Sequence, residues 1–196
     1  MDERISKQSN MNIYSQRIEI DNKIQELVTY CTDKHSKVLV VRFDIRYPLL
    51  YDSQSNNSDI SECMSYVIKK YKRDCLDPCY IWVREQNMSS NQHYHVALFL
   101  DGQRVRSYRH VFDTVESAWG RVLGCNVEGC IHHCTDPDDI DSNGIMLRSD
   151  DTGRYSERKH KVFKILSYLS KSYSKAEDND GIRNFGCTQL NSCKRR

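Results

Sequence analysis

Three short apolar segments constrain the fold of this chain more than any other feature. They are KVLVVRFDI (37–45), CYIWVRE (79–85) and HYHVALFL (93–100), and each is rich in β-branched or aromatic residues. Segments of this length and composition are typical of buried β-strands. Seven mostly polar residues (86–92) join the second segment to the third, which predicts a hairpin. Three such strands predict a sheet that other elements must cover.

Helical patterns alternate with these strands. Apolar residues recur at helical spacing in four segments, 13–32, 59–72, 111–123 and 155–173. Gly124 follows the third helix as a C-terminal stop, a fourth strand is predicted over 126–134, and a polar loop over 135–153. The order βαββαβ followed by a helix predicts an α+β fold. It is the split βαβ, ferredoxin-like (RRM-like) core, with a central antiparallel sheet and helices on one face.

Length and composition indicate one domain with tails. The chain has 196 residues, of which 38% are hydrophobic, enough to form a core. We expect an N-terminal helical extension (1–35), the main domain (36–175) and a C-terminal tail (176–196). No apolar run approaches the roughly 20 residues that span a bilayer, so we expect no membrane partner. The charged N-terminus lacks a secretory signal, which predicts a cytoplasmic protein whose nine cysteines are reduced thiols.

Positive charge is concentrated near the C-terminus, although the net charge is only +2. Segment 148–175 contains eight Lys or Arg and three Asp or Glu, a balance of +5. Such a block favours contact with an anionic partner, and a solvated helix face is the alternative.

Two histidines on the third strand form a candidate metal site. His93 and His95 project from the same face because strand side chains alternate, and Tyr94 points to the other face. If 79–85 and 93–100 form a hairpin, Glu85 lies across from His93. Two imidazoles and a carboxylate suit Mg or Mn, with Zn or Co also compatible. The alternative is a pair of partly exposed polar positions on an edge strand.

Tyr168 and Lys171 form a second candidate feature on the last helix. A spacing of three residues places both side chains on one helix face. A tyrosine hydroxyl there suits nucleophilic attack on a metal-bound phosphate, and the lysine suits charge neutralisation or protonation of a leaving group. The alternative is an ordinary tyrosine at the border of an apolar stripe.

The order of these motifs resembles the HUH endonuclease superfamily. The strings WVREQ, HYHVALFL and SYLSK are similar to those of replication initiators of filamentous phages (inoviruses) and related prophages, over roughly residues 37–175. The resemblance implies that His93, His95 and Glu85 bind a divalent metal, Mg or Mn. It implies that Tyr168, followed by Lys171, attacks single-stranded DNA, forms a 5′-phosphotyrosine link and frees a 3′-hydroxyl for rolling-circle replication.

The resemblance also implies partners and alternatives. Partners are single-stranded or hairpin origin DNA of a phage, prophage satellite or plasmid, together with a host helicase and polymerase, because no P-loop motif is present. Tyr173 lies five residues after Tyr168 and turns away on a helix, so a single-tyrosine enzyme is predicted with Tyr173 as an outside candidate. Candidate DNA contacts are Arg42, Arg84, Lys164 and Lys175. Two alternatives remain open: a non-catalytic nucleic-acid-binding regulator on the same fold, and a transposase or relaxase of the superfamily.

A cluster of cysteines and histidines near the fourth strand raises the question of zinc. Its members are Cys125, Cys130, His132, His133 and Cys134. The spacing is irregular, and alternation along a strand would place only His132 and Cys134 on one face. Free thiols are therefore the favoured interpretation.

Overall fold

The computed structural model describes residues 2–54, 56–85, 91–105, 107–136, 139, 142–172 and 182–190. The helices in these residues are α1 (Asp2–Lys34), α2 (Ser58–Arg73), α3 (Arg109–Leu123) and α4 (Tyr155–Ser172). The strands are β1 (Lys37–Ile45), β2 (Cys79–Glu85), β3 (His93–Asp101), β4 (Ile131–His132), β5 (Ile145–Arg148) and β6 (Phe185–Cys187). None of these helices combines the length and apolar character that crossing a membrane requires.

The strands form one antiparallel sheet with the order β4-β1-β3-β2-β6. Strand β5 pairs with residues 37–40 of β1, and β4 pairs with residues 44–45 of the same strand. Strands β1 and β2 run parallel to each other on either side of β3, because each pairs with β3 in the antiparallel sense. This is the order of a split βαβ arrangement. The predicted α+β class and central antiparallel sheet are confirmed, and the predicted limits of β1 and β2 match the structure.

Helices cover both faces of the sheet, so the prediction of helices on one face is wrong. Helices α2 and α3 pack on one side (the α2/α3 face), while α1 and α4 pack on the other (the α1/α4 face). The reason is visible in the central strands, where nearly every residue of β1, β2 and β3 is buried. A strand that is apolar on both sides requires a layer against each of them.

Helix α1 is longer than the predicted segment 13–32 and forms part of the α1/α4 face. Neither glycine nor proline occurs between residues 2 and 34, so no residue there terminates the helix. The buried residues Ile20, Ile24, Leu27 and Val28 pack against the sheet. The predicted N-terminal extension therefore supplies one of the layers that bury the sheet.

The edge strands differ most from the predictions. Strand β4 comprises two residues rather than 126–134, because Cys130 N donates to Val127 O in a turn whose Gly129 has φ of 75°. Strand β5 lies within the predicted loop 135–153, and β6 lies within the predicted tail 176–196. Both were missed because strands of three or four residues carry too few repeats for a pattern.

Candidate metal centre

Strand pairing brings the predicted metal ligands together on the α1/α4 face. His93 lies opposite Glu85 on β2, and His95 lies between Val83 on β2 and Asp44 on β1. The alternation of side chains sends Tyr94 into the core of the α2/α3 face, as predicted from the sequence. The two histidines and Glu85 consequently converge at one end of the sheet.

One carboxylate oxygen faces both imidazoles. Glu85 Oε2 lies 2.9 Å from His93 Nε2 and 2.7 Å from His95 Nε2. The ligand atoms of the three residues lie within 4.8 Å of one another. Neighbouring ligands of an octahedral ion with bonds of about 2.1 Å are separated by about 3 Å, so the donor types and spacing fit a divalent cation. Glu85 and His95 are buried, and His93 is half-buried.

Asp44 was not predicted as part of this cluster, and it supports His95. Asp44 Oδ1 lies 2.7 Å from His95 Nδ1. A neutral imidazole has a single N–H, so when Nδ1–H donates to Asp44, Nε2 presents a lone pair toward Glu85. A lone pair facing a carboxylate requires a cation between them, either a proton or a metal ion. A carboxylate on the distal ring nitrogen is also the usual way to orient a metal-binding histidine.

The pKa values of Asp44 and His93 are shifted in the directions that favour metal binding by the two histidines. Burial opposes ionisation of Asp44, but the hydrogen bond and charge of His95, with Arg42, hold the pKa of the carboxyl below its ordinary value. Burial lowers the pKa of His93, and this effect outweighs the opposing effect of Glu85. His93 is therefore neutral at neutral pH, which is the form that binds a metal.

Tyr168 lies beside the cluster. Its ring meets that of His95 edge to face, with centroids 5.5 Å apart and planes at 78°. The Arg42 guanidinium lies 4.1 Å from the centre of the Tyr168 ring and forms an ion pair with Asp44 at 3.3 Å. About half of Tyr168 is exposed (48%), so a large substrate has access to it. Three distant segments of the sequence thus meet at one place.

The other predicted site residues have different positions. Lys164 and Lys171 are exposed on α4, four residues before and three residues after Tyr168, so they flank it on one helix face. Arg84 is 1% exposed and points to the α2/α3 face. Burial there raises the pKa of Tyr94 to about 12, and the charge of Arg84 opposes this effect only in part. This burial argues against the predicted contact of Arg84 with DNA. Tyr173 and Lys175 lie outside the described residues.

A central antiparallel sheet with paired histidines and a carboxylate, next to a helix that carries a tyrosine, defines an α+β protein with a candidate divalent-metal centre. The chain belongs to the YagK/YfjJ C-terminal domain family, which its residues 2–188 match. It is similar to YagK of Escherichia coli (strain K12), whose name describes it as uncharacterized. The two are 22% identical over 205 residues, covering 88% of this chain and 93% of that protein. No solved structure matches the chain.

Proposed function

We propose that this protein is a metal-dependent DNA nickase and strand transferase of the HUH type, which initiates rolling-circle replication. The observation that carries the proposal is the contact between Tyr168 and His95, whose ring centroids are 5.5 Å apart. A nucleophile next to metal-binding histidines is the arrangement that phosphodiester cleavage through tyrosine requires. The resemblance of the motifs to HUH replication initiators supports the same function.

Tyr168 is the proposed nucleophile. Its phenolic oxygen attacks the phosphorus of a single-stranded DNA phosphodiester and loses its proton to solvent. The bond from phosphorus to the 3′ oxygen breaks, and that oxygen takes up a proton and leaves as a 3′-hydroxyl. The product is a 5′-phosphotyrosine, and attack on it by a 3′-hydroxyl reverses the step and joins strands. The exchange of one phosphodiester for another needs no external energy source.

Glu85, His93 and His95 are the proposed ligands of a divalent metal, Mg or Mn. A metal held by these residues would supply Lewis-acid polarisation of the scissile phosphodiester. Asp44 holds His95 in the orientation that directs Nε2 to the ligand cluster.

Positive charge around Tyr168 is the proposed contact surface for the DNA backbone. Arg42 lies over the phenol ring and places a positive charge beside the proposed nucleophile. Lys164 and Lys171 flank Tyr168 on the exposed face of α4. Lys171 is positioned to neutralise the phosphate or to supply the proton for the leaving 3′ oxygen. The phosphate contacts on this surface supply affinity without sequence preference.

A covalent-adduct assay tests the proposal. The substrates are overlapping single-stranded oligonucleotides from both strands of the DNA that flanks the gene, with Mg or Mn. A label at the 3′ end follows the fragment that stays on the protein, and a label at the 5′ end follows the fragment that is released. We expect a metal-dependent adduct that survives SDS and is absent for Tyr168→Phe.

The matched control is Tyr155→Phe, at the start of the same helix, which should form the adduct normally. An adduct that persists in Tyr168→Phe would overturn the assignment of the nucleophile, and Tyr173→Phe would then be tested. If every oligonucleotide is bound but none forms an adduct with either metal, the protein is a non-catalytic nucleic-acid-binding regulator.

Metal binding is tested without DNA by titration with Mn²⁺. Replacement of His95 by Ala should abolish binding, because it removes one of three ligands. The control is His110→Ala, whose side chain is 85% exposed on α3.

A further inference from the structure

A second group of metal-binding side chains lies next to the first. Strand β4 pairs with β1 so that His132 is directly opposite Asp44. Cys134 is two residues further along, and its thiol lies 3.4 Å from His132 Nδ1. Asp44 Oδ2 lies 3.9 Å from the same nitrogen. The ligand atoms of the three residues lie within 4.8 Å of one another.

The separations fit a tetrahedral ion. Bonds of about 2.0–2.3 Å to oxygen, nitrogen and sulfur place tetrahedral ligands about 3.5 Å apart. The two separations around His132 Nδ1, 3.4 Å to Cys134 Sγ and 3.9 Å to Asp44 Oδ2, lie on either side of this value. They are longer than the 2.7 and 2.9 Å at Glu85, where the spacing fits an octahedral ion. The two groups therefore differ in size as well as in composition.

The donor set points to a particular class of metal. A thiolate, an imidazole and a carboxylate together suit Zn²⁺ or Co²⁺, whereas the soft thiolate is a poor ligand for Mg²⁺ and Mn²⁺. Asp44 is buried, Cys134 is half-buried and His132 is exposed. The group thus has protein on one side and solvent access on the other, which leaves a fourth position for water.

Neighbouring cysteines and histidines are directed elsewhere. His133 stacks on Phe112 of α3, with centroids 3.8 Å apart and planes at 5°. Cys130 is buried in the core of the α2/α3 face, and Cys125 is exposed. Of the five residues considered for zinc from the sequence, only His132 and Cys134 belong to this group.

We propose that Asp44, His132 and Cys134 form a second metal site that binds a zinc-like ion, distinct from the site at Glu85, His93 and His95. Binding displaces the Cys134 thiol proton to solvent. The ion ties the end of β4 to β1. Because Asp44 Oδ1 contacts His95, an ion held by Oδ2 also fixes the carboxylate that orients His95.

Cobalt substitution tests this site separately from the first one. The full-length chain, kept reduced with a thiol-free reductant, is titrated with Co²⁺ and followed by absorption. We expect Co²⁺ to produce the near-ultraviolet sulfur-to-cobalt charge-transfer band together with intense tetrahedral visible bands. Since Glu85, His93 and His95 contain no sulfur, the charge-transfer band reports only on a thiolate site. An excess of Mg²⁺ should not displace it.

Four variants assign the band. Cys134→Ser should abolish the band. His132→Ala should weaken Co²⁺ affinity by more than about 100-fold, which exceeds the loss that is usual for a residue that only orients a ligand. Cys125→Ser, an exposed thiol, and His93→Ala, at the first site, should leave the band unchanged.

A band that is unchanged in Cys134→Ser, or no band in a chain that circular dichroism shows to be folded, would overturn the proposal. In either case the three residues form a hydrogen-bonded group without a metal. Neither result bears on DNA nicking, which is measured by the adduct assay.

Discussion

Asp44 and His95 face each other across β1 and β3, with Asp44 Oδ1 2.7 Å from His95 Nδ1. The pair is buried, and its position next to Glu85 makes Asp44 the residue that sets the orientation of a ligand without binding the proposed metal of that site. Substitution of Asp44 therefore tests whether the orientation of His95 matters for metal binding.

Asp44→Asn should weaken binding of Mn²⁺ about 10- to 100-fold. The amide retains the size of the side chain but removes the charge that orients and polarises His95, and losses of this size are usual for such partners. The measurement is a Mn²⁺ titration of the purified variant. Asp113→Asn, whose side chain is 76% exposed on α3, is the control. Unchanged Mn²⁺ affinity in Asp44→Asn would show that His95 is oriented by other groups.

Arg42→Gln should slow formation of the covalent adduct roughly tenfold and leave Mn²⁺ affinity within a few-fold. The guanidinium lies 4.1 Å from the centre of the Tyr168 ring, and a partly desolvated contact of this kind contributes about 1–2 kcal/mol. Single-turnover cleavage measures the effect. Arg121→Gln removes a similar contact, 4.6 Å from the Tyr66 ring on the other face, and should not alter the rate. Equal slowing in both variants would contradict a specific role for Arg42.

Gly186→Ala should destabilise the protein by about 1–3 kcal/mol, as overpacking of a filled space commonly does. A Cβ atom at Gly186 of β6 would lie 2.6 Å from the Trp82 ring, closer than unbonded atoms approach. Chemical denaturation measures the change. The control is Gly153→Ala, because nothing lies within 4 Å of a Cβ at that position. If the two variants unfold at the same denaturant concentration, β6 does not pack on β2 as described.

Asp77→Asn should destabilise the protein at neutral pH and have little effect in acid. Burial opposes ionisation of Asp77, but hydrogen bonds from Lys34 and His35 hold the pKa of the carboxyl below its ordinary value. The lowered pKa adds stability above about pH 4, and this contribution disappears as the pH falls through the folded-state pKa.

The expected difference at neutral pH is below about 1 kcal/mol, because the Asp77 side chain is 41% exposed and water screens the interaction. Urea unfolding of both proteins at neutral pH and near pH 3 measures it. A difference that grows as the pH falls would have the wrong sign and would contradict the assignment.

The central strands and the convergence of Glu85, His93 and His95 could be predicted from the sequence, because both depend on local patterns. Strands β1, β2 and β3 are long and apolar, and the alternation along β3 is sufficient to place His93 and His95 on one face. The hairpin then places Glu85 opposite His93. The pairing of Asp44 with His95 depends instead on how β1 joins β3, which no local pattern specifies.

A weaker signal for Asp44 was nevertheless present. Arg42 and Asp44 are charged residues at alternate positions near the end of an otherwise apolar strand, and a buried charge requires a partner. The burial of Arg84 could not be predicted from its charge. The alternation of side chains along β2 shows only that Arg84 and Glu85 face opposite sides of the sheet. Which side carries the site depends on the placement of α4.

The side chains packed between α4 and the sheet set the distance of α4 from the sheet. Val162, Leu166 and Leu169 fill that layer and are fully buried. Interiors are close-packed, so a change of one methylene group shifts the helix or leaves a cavity. The proposed metal ligands move with the strands, whereas the proposed nucleophile, Tyr168, moves with the helix. The volume of these aliphatic side chains therefore sets the distance between Tyr168 and the proposed metal ligands. We expect substitutions of these apolar residues to alter the rate of the proposed cleavage, although none of them carries a charge.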